Sequence, residues 1–391
     1  MENAEGNRVN SSAAKLLRPT WVEISLGKLR RNFARVQALA GARSVMAVVK
    51  ADAYGHGAVT VAKCLATCGV NWFGTATVEE ALELREAGIT QPVLLLGGLY
   101  MSDPADLITY RLTPSVSSTS RLDTYAECAR RLGQPIEFHL KIDTGMGRLG
   151  LPPDRLVSFL EHYRELEGLQ MTGVFTHLAS AEDLIASQTD EQLARFDKTL
   201  ETLRSFKLNP KWVHISNAAA LLTRNNFPEN LVRIGALLFG YCLPISFPPG
   251  AKPRELPVFE PVLTFKSRVV YLKDVPSGTP LGYGAAFHSR RPSRIATVPV
   301  GYADGLSRAL SNRGHAIVRD QRACIVGNIS MDLTLLDVTD IPDVAVGDEV
   351  ILIGKSVHCS ISALDIARQI GTVPYEVLCS IGKRVPRIYV E

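Results

Sequence analysis

Several basic and polar residues stand where apolar runs of this sequence end, and their types suggest chemistry on a carbonyl group. They are Lys50, Lys141, Arg148, His177, Ser216, Asn217 and Arg233, at or near the ends of five separate runs. A lysine in such a place usually extends its ammonium group past the apolar surface into water. A lysine that loses hydration instead has a lowered pKa and can attack an aldehyde to form a Schiff base. Lys50 heads the segment KADAYGHGA, in which Tyr54 adds a hydroxyl and the glycines add backbone freedom.

The apolar runs alternate with amphipathic, helix-like stretches. The eight runs span residues 44–50, 71–76, 92–98, 112–116, 136–143, 169–177, 211–216 and 231–235. Eight strands alternating with helices are what a (β/α)8 barrel requires, and the active sites of such barrels lie at the carboxyl ends of the strands. We therefore predict an α/β fold with a barrel over residues 18–257, which would bring the polar residues together.

The pattern changes beyond residue 257. Short β-like runs such as CIVGN and EVILIG follow one another, separated by Pro, Gly and Asp turns. Three prolines from Pro249 to Pro257 come just before the change and suggest a junction. We predict a mostly β domain over residues 258–391 and a loose polar tail over residues 1–17.

Composition excludes several classes of protein. The net charge of +4 is spread over 391 residues without a basic block, so nothing points to nucleic acid. No apolar run is long enough to span a bilayer, and the first twenty residues lack the apolar core of a secretory signal. The seven cysteines are scattered, which favours free thiols in a reducing compartment, the cytoplasm. Cys64 and Cys68 suggest a small apolar helix face, so we predict no metal site.

The segment VMAVVKADAYGHG, ending at Gly57, resembles the cofactor-lysine motif of the alanine racemase family, pyridoxal-phosphate enzymes of fold type III. Further segments resemble the family in its own order from about residue 18 to the C-terminus: LKIDTGMGRLG, FTHLASAE, HISNAAAL, VRIGALLFGY, GYGAAF, VGYADG, VGNISMD and PYE. The resemblance implies an enzyme that interconverts L-alanine and D-alanine and supplies D-alanine for peptidoglycan synthesis.

The resemblance also implies which residues bind pyridoxal phosphate. Lys50 would carry the cofactor, and the turn at Gly235 and Ala236 would hold its phosphate. Further cofactor contacts are implied for Tyr54, Tyr375, Asn217 and His177, with Ser216 as a weaker candidate. Arg233 would face the ring nitrogen, and an arginine there makes the ring a weaker electron sink than an aspartate would. Alone, Arg233 would be taken for an exposed arginine at the barrel rim.

Racemisation needs a base on each face of a planar intermediate. The resemblance implies Lys50 on one face and Tyr283 on the other, with Tyr283 supplied by the second subunit of a homodimer with shared sites. A free tyrosine has a pKa near 10 and needs an activating neighbour, for which His177 is the candidate. Without the resemblance, His177 would be taken for a satisfied strand-end histidine and Tyr283 for a turn aromatic.

Substrate contacts are implied for Arg148, which would pair with the carboxylate, and for Met331 and Asp332 of the partner. Lys141 matches the family's carbamylated lysine, which positions that arginine; a simple salt-bridging lysine remains the alternative. Tyr302, Asp304 and Arg308 would lie along the entrance. Two departures from the family pattern concern the cofactor's phosphate and the entrance: Ala218 stands where a serine is common, and Asn328 where many members have an arginine.

Three other functions are alternatives. One is a serine or broad-specificity amino-acid racemase of the same fold, although broad-specificity periplasmic racemases carry a secretory signal. Another is a decarboxylase, in which a glutamate would take the place of Arg233. The third is a non-enzymatic pyridoxal-phosphate carrier with a single barrel, against which the β domain and Tyr283 argue.

Overall fold

The computed structural model describes residues 17–98, 103–224, 227–251 and 255–391. The chain divides into two compact units. The first comprises residues 24–263, 374–379 and 389–391, and the second comprises residues 17–23, 264–373 and 380–388. Most of the predicted tail, residues 1–16, lies outside the described residues.

Strand β1 (Thr20–Ser25) leads into helix α1 (Leu26–Ala40). The side chain of Ser25 caps the helix by accepting the backbone N–H of Lys28 at 3.3 Å. Leu29, Phe33 and Val36 recur at helical spacing and are buried. These residues form the apolar face that the helix buries.

The first unit is a parallel eight-stranded barrel. Its strands are β2 (Ser44–Val48), β3 (Trp72–Thr75), β4 (Val93–Leu95), β5 (Leu112–Val116), β6 (Ile136–Lys141), β7 (Leu169–Phe175), β8 (Trp212–His214) and β9 (Leu231–Ile234). They pair in chain order, and β2 pairs with β9. Between β8 and β9, single hydrogen bonds join Asn230 N to Val213 O and Arg233 N to Ser216 O. Each strand lies within one predicted apolar run, so the predicted fold class is confirmed.

Helices alternate with these strands. They are α2 (Lys50–Gly55), α3 (Ala58–Thr67), α4 (Val78–Glu86), α5 (Ala105–Thr109), α6 (Thr119–Leu132), α7 (Leu156–Arg164), α8 (Gln188–Ser205) and α9 (Ala218–Thr223), with 3-10 turns at Pro153–Arg155 and Ala236–Phe239. Thr77 caps α4, and Gly133 ends α6 in the left-handed conformation that glycine adopts without strain. Inside the barrel, large apolar residues pack into one cluster: Met46, Trp72, Leu94, Phe175 and Leu231.

The later part of the chain is mostly β, as predicted. Its strands are β10 (Leu263–Arg268), β11 (Tyr271–Val275), β12 (Pro280–Leu281), β13 (Phe287–His288), β14 (Ser293–Val298), β15 (His315–Val318), β16 (Gln321–Val326), β17 (Thr334–Asp337), β18 (Glu349–Lys355), β19 (Ser360–Ile361) and β20 (Arg387–Val390). One sheet has the order β11-β14-β17-β16-β15-β18-β10-β1-β20, with β19 beside β18, and β12 pairs with β13.

Two helices and three 3-10 turns complete this part: α10 (Ala363–Ile370), α11 (Pro374–Cys379), Tyr283–Ala285, Tyr302–Asp304 and Arg308–Leu310. Ser362 and Asp365 form a reciprocal capping box that starts α10. Helix α11 belongs to the first unit and packs on α2. Within the described residues, no helix combines the length and apolar character needed to cross a membrane.

Candidate active site

A cavity of about 570 Å³ opens at the carboxyl ends of the barrel strands. Ten of the candidate site residues line it: Lys50, Tyr54, Lys141, Arg148, His177, Asn217, Arg233, Gly235, Ala236 and Tyr375. Four of them are lysines or arginines, so the cavity suits an anionic ligand. The predicted convergence of strand ends is therefore present in the first unit.

Lys50 begins α2, and the backbone that follows it is left-handed. Residues 51–54 have φ between 52° and 56° and ψ between 39° and 54°. Side chains of L-residues meet the next carbonyl oxygen in this conformation, at a cost of roughly 1–2 kcal/mol per residue. A run of such residues persists only where the surroundings impose it, and such strain concentrates at functional sites.

Contacts on both sides hold this left-handed turn. The carboxylate of Glu80 on α4 accepts the backbone N–H of Ala51 at 2.7 Å and that of Ala76 at 2.8 Å. Asp52 accepts the backbone N–H of Ala58 at 2.7 Å and so ties the turn to α3. These carboxylate bonds are charge-assisted and stronger than neutral ones.

The environment of Lys50 favours its neutral amine. Burial lowers the pKa of the Lys50 ammonium, and the positive charge of Arg148 lowers it further. The carboxylate of Glu80 acts in the opposite direction and raises that pKa. An amine with a lowered pKa can act as a nucleophile and as an acceptor of protons.

Two tyrosines lie together in the cavity. The rings of Tyr54 and Tyr375 meet edge to face with centroids 6.0 Å apart, and Tyr54 also contacts Phe239. Burial raises the pKa of Tyr375 to about 12 and raises that of Tyr54 further. Both phenols therefore remain protonated at neutral pH and can donate hydrogen bonds to an anion.

Arg233 on β9 reaches into the barrel interior and is buried. Its Nη2 donates to the backbone oxygens of Thr176 at 2.7 Å and Ile215 at 3.0 Å, and to Nδ1 of His177 at 3.3 Å. Burial lowers its pKa to about 10, so the guanidinium stays charged at neutral pH. These bonds leave it little freedom to rotate.

His177 is an uncharged donor toward the cavity. Because a guanidinium only donates, Nδ1 of His177 accepts from Arg233, and the proton of the neutral ring lies on Nε2. Burial lowers the pKa of His177 to about 3, and the positive charge of Arg233 adds to this effect. The buried amide of Gln192 donates to His177 O at 3.0 Å and fixes the end of β7.

Lys141 lies at the end of β6 and is buried, with Nζ 3.3 Å from Leu96 O and 5.5 Å from the centre of the Phe175 ring. Burial, and then the charges of Arg233 and Arg148, lower its pKa to about 8. A substantial fraction of this lysine is therefore the neutral amine near physiological pH.

Arg148 stands on a loop that Asp143 organises. One carboxylate oxygen of Asp143 accepts the backbone N–H groups of Gly145, Met146 and Gly147 at 2.9–3.0 Å. The guanidinium of Arg148 lines the cavity on a residue that is otherwise exposed. The backbone of the loop is therefore held in place, and it presents the positive charge of Arg148 to the cavity.

The end of β8 supplies one residue to the cavity and keeps another outside it. Asn217 lines the cavity, and its side chain caps α9 by accepting the N–H of Ala220 at 3.0 Å. Ser216 is buried, is not among the lining residues, and donates its hydroxyl to Glu229 at 2.5 Å. Ala218, the departure from the family pattern, lines the cavity without a hydroxyl.

The site residues expected from the second unit do not line this cavity. Tyr283, Tyr302 and Met331 are 74%, 44% and 52% exposed. Asn328, the other departure, donates through Nδ2 to Tyr283 O at 2.9 Å. The structure therefore presents several large side chains of this unit to solvent.

The remaining three of these residues differ in environment. Asp304 is fully buried and pairs with Arg18 at 2.5 Å and Arg384 at 2.8 Å. Asp332 is exposed and pairs with Arg384 at 2.6 Å, and Arg308 is exposed. Asp304 thus has structural partners within its own unit.

Three titratable residues that contact site residues were not predicted from the sequence. Glu80 holds the backbone beside Lys50, Glu229 holds Ser216, and His214 contacts Arg233. His214 alone had a signal, as a polar residue inside the apolar run 211–216. The two glutamates lie on a helix and in a loop, where acidic residues are ordinary.

Fold and site together define a class: a (β/α)8-barrel protein with a basic, lysine-bearing cavity at its strand ends, and a second, mostly β unit. Two family models match the chain. One is described as the N-terminal domain of alanine racemase, over residues 24–243, and the other as its C-terminal domain, over residues 262–389. The chain belongs to the alanine racemase family, as its motifs predicted.

The chain is also similar to individual alanine racemases in sequence and in structure. The chain is 42% identical over 380 residues to an alanine racemase of Halothermothrix orenii, covering 96% of this chain and 98% of that one. An alanine racemase structure from Clostridium difficile has a TM-score of 0.89 at 35% identity, covering 96% of this chain and 97% of that one. An alanine racemase from Bartonella henselae with covalently bound pyridoxal phosphate has a TM-score of 0.84 at 30% identity, covering 95% and 99%.

Proposed function

We propose that this chain is a pyridoxal-phosphate-dependent alanine racemase that interconverts L-alanine and D-alanine. The observation that carries the proposal is the hydrogen bond from Arg233 to His177 in the same cavity as Lys50. This bond orients Arg233, which would donate a hydrogen bond to the pyridine nitrogen of the cofactor without giving up its proton. Such a partner suits a reaction that returns a proton to the α-carbon of the amino acid. The family's activity supports the same conclusion.

The cavity fits the cofactor. A Cβ at residue 235 would lie 2.4 Å from Tyr54 Oη, so glycine allows this phenol to approach the turn that begins at Ala236. The first amides of such a turn have no acceptor within it and suit a phosphate, beside the hydroxyls of Tyr54 and Tyr375. Asn217 would add a polar contact, Arg233 would hold the ring nitrogen, and Lys50 would bind the aldehyde carbon. Because Ser216 donates to Glu229, we assign it to the strand end instead.

When bound, pyridoxal phosphate draws electrons from the α-carbon of an amino acid attached to its aldehyde carbon, so that the α-hydrogen can leave as a proton. Lys50 takes or returns that proton on one face. Its pKa is lowered, first by burial, and this favours the neutral amine, the form that can accept a proton.

The partner subunit's Tyr283 acts on the opposite face. The 74% exposure of Tyr283 in its own chain leaves the phenol accessible to a second copy. His177, with its proton on Nε2, stabilises the deprotonated phenol by donating to it, because its pKa near 3 makes it a poor acceptor. This arrangement requires a homodimer whose two sites are each completed by the other subunit.

Arg148 binds the substrate carboxylate, and Lys141 positions Arg148. The neutral fraction of Lys141, which follows from its pKa of about 8, can react with carbon dioxide to form a carbamate. The carbamate would exchange a repelling cation for an anion that attracts the guanidinium. The substrate pocket is lined by the partner's Met331 and the partner's Asp332. The entrance to this pocket is formed by Tyr302, Asp304 and Arg308.

We propose the cytoplasm as the place of action and peptidoglycan precursors as the use of D-alanine. All seven cysteines are free thiols, which suits a reducing compartment.

A coupled assay tests the function. Purified protein loaded with pyridoxal phosphate is offered L- and D-alanine, L- and D-serine, and larger amino acids, and formation of the opposite enantiomer is measured. We expect both alanine enantiomers to be converted, with the highest kcat/KM in the panel. Faster conversion of serine would favour the broader racemase, and no conversion of any substrate by a loaded protein would reject the proposal.

A further inference from the structure

Two histidines lie inside the barrel, behind the residues that face the cavity. His139 on β6 and His214 on β8 are fully buried. Nδ1 of His139 is 2.9 Å from Nε2 of His214, and Nδ1 of His214 is 3.0 Å from Nη1 of Arg233. Buried imidazoles in contact with each other and with a guanidinium require a defined arrangement of protons.

That arrangement follows from Arg233. A guanidinium cannot accept a hydrogen bond, so Nδ1 of His214 must be the unprotonated nitrogen. The neutral ring then carries its proton on Nε2 and donates it to Nδ1 of His139. His139 in turn carries its proton on Nε2. The three side chains form one chain of hydrogen bonds that runs from Arg233 to His139.

Both rings are uncharged in the folded protein. Burial lowers the pKa of His139 to about 3, and Arg233 adds to the effect. Burial, Arg233 and His139 lower the pKa of His214 as well. A protonated ring at either position would have two donors facing each other or facing Arg233, so the observed contacts agree with neutral rings.

The backbone makes room for this pair. The register between β6 and β7 shifts by one residue between Phe138 and His139, which sets His139 opposite Gly173. A Cβ on Gly173 would lie 2.5 Å from Cγ of His139. His214 stacks on Phe175 with centroids 4.5 Å apart and rings 8° from parallel. Both rings are therefore held by steric contact as well as by hydrogen bonds.

The pair also leaves one polar group unsatisfied. Among the described residues, none accepts a hydrogen bond from Nε2 of His139. Buried donors without acceptors are rare and destabilise the fold, so an apolar pair at these positions would suit stability at least as well. A function in the site explains the pair better than a contribution to stability does.

We propose that His214 and His139 are positioning residues, a neutral two-imidazole chain that fixes the orientation of the Arg233 guanidinium in the active site. This inference rests on the proposed function, because Arg233 matters there as the partner of the cofactor's ring nitrogen. His214 supplies the acceptor for Nη1, while the backbone oxygens of Thr176 and Ile215 hold Nη2. Between them, these acceptors fix both ends of the guanidinium.

The proton arrangement is tested first by nuclear magnetic resonance. Protein with 15N-labelled histidine, with and without added pyridoxal phosphate, gives ring-nitrogen shifts that distinguish the tautomers of its eight histidines. Substitution of His139 and His214 one at a time assigns their signals. We expect both rings to be neutral with the proton on Nε2. A proton on Nδ1 of either ring, or an imidazolium at neutral pH, would overturn the proposal.

The effect of His214 on racemisation is tested with two substitutions of this residue. His214→Phe keeps a ring for stacking but removes the acceptor, and His214→Asn restores an acceptor near the position of Nδ1. We expect His214→Phe to lower kcat for alanine about tenfold to a hundredfold with KM changed less than about threefold. His214→Asn should recover most of kcat, and the control His162→Phe, at a partly exposed residue of α7, should behave as wild type.

The outcomes separate the two proposals. A folded His214→Phe protein with wild-type kcat, or equal losses in both His214 variants, would reject the positioning role while leaving racemisation intact. A wild-type protein that does not racemise alanine would reject the proposed function, and the tautomers could still be read from its spectrum. If His214→Phe fails to fold, the positioning role is tested by the ring-nitrogen shifts of the wild-type protein and by the kcat of His214→Asn.

Discussion

The carboxylate of Glu80 accepts the backbone N–H of Ala51 at 2.7 Å, so a residue of α4 holds the peptide that follows Lys50. We expect Glu80→Gln to lower the free energy of unfolding of the cofactor-free protein by about 0.5–1.5 kcal/mol, because the neutral amide has one acceptor oxygen for the two backbone N–H groups. Urea titration measures this. Glu83→Gln, an exposed neighbour on the same helix, is the control. Equal stability of the two variants would show that the contact does not hold the turn.

Lys50→Ala should abolish the visible absorbance that purified protein acquires with pyridoxal phosphate, because no other lysine is expected to bind its aldehyde carbon. An absorbance spectrum after gel filtration measures this directly. Lys63→Ala removes an exposed lysine on α3 and should leave the spectrum unchanged. A normal spectrum for Lys50→Ala would remove this lysine from the proposed mechanism.

Tyr283→Phe should keep cofactor binding and slow proton transfer in one direction more than in the other, since only one face loses its acid or base. Exchange of the α-hydrogen with deuterated solvent, started from each enantiomer, distinguishes the two faces. Equal rates in both directions, unchanged from wild type, would exclude the phenol.

Mixing Lys50→Ala and Tyr283→Ala proteins tests the shared site. Each mixed dimer has one intact site and one doubly defective site, and half of randomly paired dimers are mixed. Activity should therefore recover to about a quarter of wild type. Absence of recovery, with mixed dimers verified by mass spectrometry, would mean that each subunit completes its own site.

Acid should destabilise the protein through its buried histidines. His139 and His177 have pKa values of about 3 in the folded protein against about 6.5 when exposed. Below about pH 6.5 the unfolded chain therefore binds protons that the folded chain does not, and stability falls as pH falls until the folded pKa is reached. Each histidine contributes a slope of about 1.4 kcal/mol per pH unit in that window.

Urea titrations of the cofactor-free protein between pH 6.5 and 5 measure this slope in a range where most carboxylates stay ionised. His139→Gln should reduce the slope by about 1.4 kcal/mol per pH unit, the contribution of one proton. A slope unaffected by His139→Gln would mean that this ring is protonated in the folded state.

Gly235→Ala should weaken cofactor binding, because its Cβ would lie 2.4 Å from Tyr54 Oη and one of the two must move. We expect about a tenfold loss of affinity for pyridoxal phosphate, measured by fluorescence titration. The same substitution in a Tyr54→Phe background removes the clashing oxygen and should cost less. Equal losses in both backgrounds would place the clash elsewhere.

The sequence predicted the parts of this molecule that depend on local pattern. The eight apolar runs became the barrel strands, and side chains at their ends, such as Lys50 and His177, reached one cavity because parallel strands end at the same face of a barrel. The role proposed for Tyr283 came only through family resemblance, since an exposed turn tyrosine has no pattern of its own.

What the sequence did not predict depends on contacts between distant segments. Glu80 is an ordinary residue on α4 until the backbone of Ala51 meets it, 29 residues away in sequence. His139 becomes a partner of His214 only because a register shift and Gly173 admit its ring. Neither a strand bulge nor a close backbone approach can be inferred from periodicity alone.

The left-handed turn after Lys50 also has a consequence for chemical synthesis. D-residues favour the positive φ that residues 51–54 adopt, and two of those four positions, Ala51 and Ala53, are alanine. A semisynthetic protein with a mirror-image alanine at either position would relieve steric strain there instead of adding to it. The peptide beside the reactive lysine is thus one of the few places in this fold where the chirality of a building block could be inverted to the benefit of the backbone.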